Sequence, residues 1–442
     1  MACTGHPDDG AWRRSRHRPP CDGRPPAGVH CLAAAGHKLP RTGTTMDLTH
    51  VTRYIAGRDT REPVCAYLYD LDDLRLRTTR LRAALPEQCA LYYAVKANSD
   101  APVLRALLGV ADGFEVASFG EIERVRGVDA EVPIAFGGPG KTDAELEGAL
   151  RLGVGLIHVE STLQLSRLDA VARRQGRCAD VLLRANPAYG LPGATLQMGG
   201  GATQFGIDEA LLPDVLAQSR TMPNVRVVGL HVHAGSNSLD ADTHLALIDR
   251  HIALAKRLRD LHGLTLEWLN VGGGIGIDYQ NPERHFDWDR FCHGLAALLR
   301  ETAPSTRIVF ECGRFISAGC GCYVAEVIDL KRNHDKWFAV LRGGTHHFRL
   351  PVSWQHNHPF QVLPNDHWDY PFPRPVVERQ PVTLCGELCT PKDVLAREVP
   401  VDRLRVGDRI AFTMAGAYGW HISHHDFLSH PHPERVFIGG QP

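Results

Sequence analysis

From residue 91 onward, short apolar runs alternate with longer stretches whose apolar residues recur at helical spacing. The runs 91–97, 113–117, 134–136, 156–159, 181–184, 227–233, 266–271 and 307–311 read as strands. Between them, 144–152 carries Leu146, Ala149 and Leu150, and 243–261 carries Leu245, Ile248, Ile252, Leu254 and Leu258, each at helix period. Repeated strand–helix units predict a parallel sheet. Eight of them predict a closed (β/α)8 barrel over 73–317. A doubly wound open sheet is the alternative, but it rarely needs eight units.

The rhythm changes after Ser317. Runs at 320–330, 337–342, 382–386, 408–414 and 434–438 are punctuated by Gly, Pro and Asp, with little helical spacing between them. This predicts a C-terminal β domain over 318–442, a sandwich or small barrel. A further strand at 64–69 precedes the barrel, so 46–72 is expected to join that later domain.

Composition places the chain among soluble globular proteins: 442 residues, 43% hydrophobic, 22% charged, net charge −1. That balance gives no electrostatic case for nucleic acid or an anionic membrane as partner. No apolar run is long enough to span a bilayer. The twelve cysteines are scattered, which reads as reduced thiols in a cytoplasmic protein. The spacing of Cys385 and Cys389 is the one that begins some zinc sites, but no metal is expected here. Residues 1–45 mix arginine and proline without apolar period and are expected to be disordered. Met46 is a candidate native start.

Polar residues gather at the strand ends. Lys96 follows the first, Glu115 lies on the second, Arg184 ends the fifth and His233 the sixth. Gly272, Gly273 and Gly274 follow the seventh, and Glu311 and Arg314 close the eighth. Barrels of this kind build their sites at that rim. A lysine at a strand end is ordinarily a snorkelling cation; at a catalytic rim it also suits a Schiff base. Bare amides of a glycine run, with Gly235 and Ser236 nearby, suit a phosphate. An amine and a phosphate cradle together point to pyridoxal phosphate.

Six stretches carry a resemblance: 94–98, 231–236, 272–274, 311–314, 385–389 and 415–419. In that order, over about residues 60–435, they resemble the fold-type III pyridoxal-phosphate enzymes with the alanine-racemase-like barrel. Within these the chain is similar to the ornithine/diaminopimelate decarboxylases. The resemblance implies that Lys96 holds the cofactor, His233 stacks on its ring, and the glycines and Ser236 bind phosphate with Tyr418 assisting. Glu115 and Arg184 join the cofactor contacts. Glu311 would keep the ring nitrogen protonated, which favours loss of carbon dioxide over racemisation. Cys389 would enter the site of a neighbouring subunit and return a proton, making the enzyme a dimer with shared sites.

Two departures bear on the substrate. The family's Gly-Pro-x-Cys followed by an acid is here Gly386-Glu387-Leu388-Cys389-Thr390. The acid that helps hold a distal amine in the ornithine and diaminopimelate enzymes is missing. Residues 341–349, with His346 and Arg349, are rich in cations suited to carboxylates. With Arg314 and Asp393 they are the expected substrate contacts. The run 385–394 resembles the siderophore branch of the family, which acts on citryl-diaminopropionate in staphyloferrin B assembly. A diaminopimelate, ornithine or lysine decarboxylase is the alternative, and a cofactor-binding protein without catalysis is the alternative of another class.

Overall fold

The computed structural model describes residues 46–58, 62–190, 196–303 and 305–440. The segment 1–45, expected to be disordered, lies outside these. Eight strands form one closed parallel sheet: Cys89–Ala94, Gly113–Val116, Ile134–Phe136, Leu156–Val159, Ala179–Asn186, Val225–Val232, Trp268–Asn270 and Arg307–Cys312. Each pairs with the next in chain order, and the eighth pairs back onto the first from Ile308↔Cys89 to Cys312↔Tyr93. The expected barrel is therefore present. Two expected strands coincide with observed ones, and the first ends earlier: Val95–Ala97 turns as a 3-10 helix and carries Lys96 out of the sheet.

Period two sets what the barrel contains. On the fourth strand Leu156 and His158 point in, while Ile157 and Val159 face the surrounding helices. On the eighth, Val309 and Glu311 share the inner face. Ala90, Tyr92, Ala135, Leu156, Leu182, Val228 and Val309 form an apolar plug. One pleat higher, His158, His231, Asn270 and Glu311 form a polar floor above it. A plug excludes water from beneath, so this floor sits in low dielectric.

The helices end where their caps dictate. Asp143–Arg151 begins with a capping box between Thr142 and Glu145. Ala241–His262 begins at Asp240 and stops at Gly263, whose φ of 65° is left-handed. No described helix is long and apolar enough to cross a membrane.

The second sheet is mixed. Its spine, Gly321–Asn333, pairs antiparallel with Lys336–Leu341, Arg409–Phe412 and the early strand Cys65–Asp70. Cys65–Asp70 in turn lies parallel to Glu434–Ile438. Two of its strands were not anticipated from the sequence. Phe360–Leu363 edges the sheet on Arg409–Phe412, and Val394–Arg405 pairs with Val376–Cys385. The second is an edge strand with mixed charges and Pro400 set opposite Pro381. A solvent-facing edge tolerates proline and charge that would disqualify a central strand.

Candidate active site

The rim of the barrel opens into a cavity of about 420 Å³. It gathers Lys96, Glu115, Arg184, His233, Ser236, Gly273, Gly274, Glu311, Arg314 and Tyr418. Lys96 Nζ lies 2.7 Å from Glu115 Oε2. Its side chain is 47% exposed, and it lines the cavity. Burial opposes the ammonium, yet the Glu115 carboxylate, with Tyr418 and Glu311 beyond, outweighs it and raises the Lys96 pKa.

Arg184 is buried and donates to Glu160 Oε1 at 2.9 Å, with its guanidinium 4.7 Å from the Phe205 ring centre. Glu160 Oε2 accepts the Gly206 amide at 3.1 Å, so one buried carboxylate fixes both Arg184 and the turn beside it. His233 is pushed well below its ordinary pKa by burial and by the positive charges of Arg184 and Lys96. It is a neutral, flat ring in the wall.

The glycines are required by space. A Cβ on Gly272, at φ +68°, would meet His233 Nδ1 at 2.4 Å. On Gly273 it would meet the Glu311 carbonyl oxygen at 2.2 Å, and on Gly274, at φ +86°, the Gly235 carbonyl oxygen at 2.7 Å. The Gly273 and Gly274 amides donate to no backbone carbonyl among the described residues. Gly272 itself stands behind the wall rather than in it. Gly273→Ala should therefore push the turn away from the eighth strand, weaken pyridoxal phosphate binding at least tenfold and cost about 1–3 kcal/mol of stability. Fluorescence titration of the apoprotein and its melting curve measure the two effects.

Arg314 is 8% exposed and stacks 3.7 Å from the Trp354 ring centre, with Tyr418 at 4.9 Å and Tyr279 at 5.6 Å. Its nearest polar contact is Tyr279 Oη at 3.4 Å, and no described carboxylate pairs with it. A buried guanidinium held by aromatic faces and facing a cavity is a receptor for an anion. Tyr418 is set by a left-handed φ of 54° and by its amide, which donates to the Ala97 carbonyl at 2.8 Å. These features fit pyridoxal phosphate: an amine at one end, unspent amides for a phosphate, and a buried carboxylate for the ring nitrogen.

Besides Gly272, four expected contacts do not line this chain's cavity. Cys389 is exposed, on the turn between two strands of the second sheet. Asp393, expected to touch substrate, spends its oxygens on the amides of Thr345 at 2.6 Å and Leu388 at 2.9 Å, which ties that turn together. His346 is fully buried, 3.9 Å from Glu387, which Arg342 engages at 2.7 Å. Arg349 is exposed, and its amide donates to Ser423 Oγ at 3.0 Å. Cys385, the other half of the zinc-like spacing, directs its thiol at the Ala339 carbonyl, and each described cysteine is a free thiol. The structure adds residues that the sequence reading left without a role: Glu160, Asn270, His158 and His231. The signal for the histidines was present, since both interrupt apolar strands.

Comparison with known proteins agrees with this geometry. Residues 71–318 match the pyridoxal-binding domain of the pyridoxal-dependent decarboxylases. The chain is 46% identical over 377 residues to the 2-[(L-alanin-3-ylcarbamoyl)methyl]-2-hydroxybutanedioate decarboxylase of Staphylococcus aureus, covering 85% of this chain and 94% of that one. It is 31% identical to the L-glutamyl-[BtrI acyl-carrier protein] decarboxylase of Niallia circulans, covering 84% and 87%. Among solved structures, diaminopimelate decarboxylase from Helicobacter pylori complexed with L-lysine superposes with a TM-score of 0.77 at 26% identity, over 88% of this chain and 94% of that one. The chain belongs to the pyridoxal-phosphate-dependent decarboxylases, with their barrel, their cofactor and their carboxy-lyase chemistry.

Proposed function

We propose that this decarboxylase acts on citryl-diaminopropionate, releasing carbon dioxide and leaving citryl-ethylenediamine for siderophore assembly, and that two copies share their active sites. The observation that carries the substrate is the relative 46% identical over nearly its whole length, whose substrate is this same citryl amide. Thr390 in place of an acid supports it, because the position after Cys389 then offers no carboxylate for a distal amine. Arg314 supports it too, as a cation in the cavity without an acid partner. The chain is assigned as a barrel over 73–317 and a β domain built from 46–72 and 318–442.

When bound, pyridoxal phosphate supplies an aldehyde that links to an amine and a ring that takes up the electron pair left by departing carbon dioxide. Lys96 would hold it covalently, and Glu115, 2.7 Å away, is placed to take the proton the ammonium gives up. The amides of Gly273 and Gly274, with Ser236 and Tyr418, bind the phosphate. The neutral face of His233 would pack on the ring, and Glu311 would hold a proton at the ring nitrogen, where negative charge is worth most in a dry site. Arg184, braced by Glu160, closes the wall between them. Cys389 of the partner subunit would supply the proton to the carbon that lost its carboxylate; its place on an exposed turn outside its own cavity suits that role.

Purified enzyme offered citryl-diaminopropionate, meso-diaminopimelate, ornithine, lysine and arginine in parallel should release carbon dioxide fastest from the first. Preference for diaminopimelate or ornithine would sink the substrate assignment, and cofactor binding without turnover of any of them would favour a regulatory protein. Shared sites are tested by mixing inactive partners. Lys96→Ala and Cys389→Ala chains, refolded together, should regain about a quarter of wild-type activity, because random pairing gives mixed dimers one intact site each. No recovery would place Cys389 outside the partner's site.

A further inference from the structure

The polar floor contains a hydrogen-bond sequence whose direction can be read from its first member. The Gly272 amide can only donate, and it donates to Asn270 Oδ1 at 2.9 Å. That contact fixes which end of the Asn270 amide is oxygen. Its nitrogen then donates to Glu311 Oε1 at 2.7 Å and faces His158 Nε2 at 3.4 Å. A nitrogen that accepts carries no proton, so the neutral His158 ring keeps its hydrogen on Nδ1. Nδ1 faces the Glu311 carboxylate at 3.8 Å and has no hydrogen-bond partner among the described residues.

His231 supplies the second oxygen's neighbour. Its Nε2 lies 3.5 Å from Glu311 Oε2, and its ring lies over that of His158, with centres 4.2 Å apart. Both rings are buried, and burial pushes both well below the ordinary histidine pKa, so neither adds a positive charge. Glu311 thus accepts a hydrogen bond from the neutral Asn270 amide and has two neutral imidazoles beside it, and no lysine or arginine pairs with it among the described residues. A metal ion is a poor occupant of the group, since one imidazole nitrogen already faces an amide donor and the other carries the hydrogen.

We propose that His158 is a positioning residue for the decarboxylation: locked as the Nδ1–H tautomer by Asn270, it acts with His231 to orient Glu311 toward the cofactor's ring nitrogen. Neutral donors stabilise a carboxylate without cancelling its charge, whereas an arginine or lysine there would spend it. This deepens the proposed function and rests on its assignment of Glu311. The first two links, Asn270 and Gly272, bind the floor to the glycine turn, so phosphate cradle and ring-nitrogen partner are held by one asparagine.

Two measurements test it. In the full chain without cofactor, labelled at histidine nitrogen, the imidazole signal absent from His158→Phe should be that of a neutral ring protonated at Nδ1. A ring protonated at Nε2, or at both nitrogens, overturns the proposal whatever the role of Glu311. In the holoenzyme, His158→Phe should lower kcat about tenfold with KM little changed, and ring-¹⁵N-labelled cofactor should move toward the neutral-pyridine shift. His158→Gln, which restores an amide donor, should recover most of both. Should the tautomer be as expected while Glu311→Gln leaves the ring-nitrogen signal unmoved, the assignment of Glu311 fails and the proposal with it. An unchanged kcat in a folded His158→Phe enzyme also overturns it.

Discussion

Lys96→Ala should fold, bind pyridoxal phosphate weakly and turn over substrate at less than about one thousandth of the wild-type rate. Lys96 is the lysine lining the cavity, and the fixed turn Val95–Ala97 presents it there between two buried neighbours. Removing it leaves Glu115 buried without its cation, but a buried carboxyl already pushed up by desolvation can take a proton instead of destabilising the fold. The competing amine is Lys141. It is 5% exposed, burial lowers it to about 8, and it is therefore more readily neutral than Lys96. Yet Lys141 is spent on the carbonyls of Gly138 at 2.6 Å and His158 at 2.8 Å, where it braces the wall. Borohydride treatment followed by peptide mass mapping should fix the cofactor to the Lys96 peptide in wild type and to no lysine in the variant. A label on Lys141 in the wild-type enzyme would reverse the assignment.

Glu311→Gln should lower kcat by about 10²–10³-fold while changing KM little. The substitution keeps size and polarity and removes only the charge. It also turns a donor-filled site against itself, because Asn270 and, on the tautomer derived above, His158 present hydrogens to whatever stands there. Single-turnover carbon dioxide release separates this loss from slower substrate binding. A rate within a few-fold of wild type would mean that the charge at the ring nitrogen is not what the reaction needs.

The barrel was legible because each of its strands is buried on both faces, which writes an unbroken apolar run into the chain. The strand Val394–Arg405 was not, because an edge exposed to solvent needs no such run. At the site, Lys96, Glu115, Arg184, His233 and Glu311 stood out because each interrupts or ends a run at a strand's C-terminal end, and a polar residue there has few structural reasons to exist. Glu160, Asn270, His158 and His231 carried the same kind of signal, but their meaning depends on partners 40 or more residues away in several cases, as with Asn270 and Glu311.

The chain's own order of residues determined the barrel and the cofactor's chemistry and singled out Lys96 as the amine proposed to hold it, since strand ends and glycine runs are local features. Tertiary structure decided what local features cannot carry. Pairing in register brought Asn270, His158 and His231 onto one carboxylate. Packing placed Arg314 between aromatic rings with no acid beside it among the described residues. The fold of the second sheet kept Cys389, His346, Asp393 and Arg349 out of the cavity of their own chain. Each of these depends on which strand lies beside which, a property of closure and register rather than of any single segment.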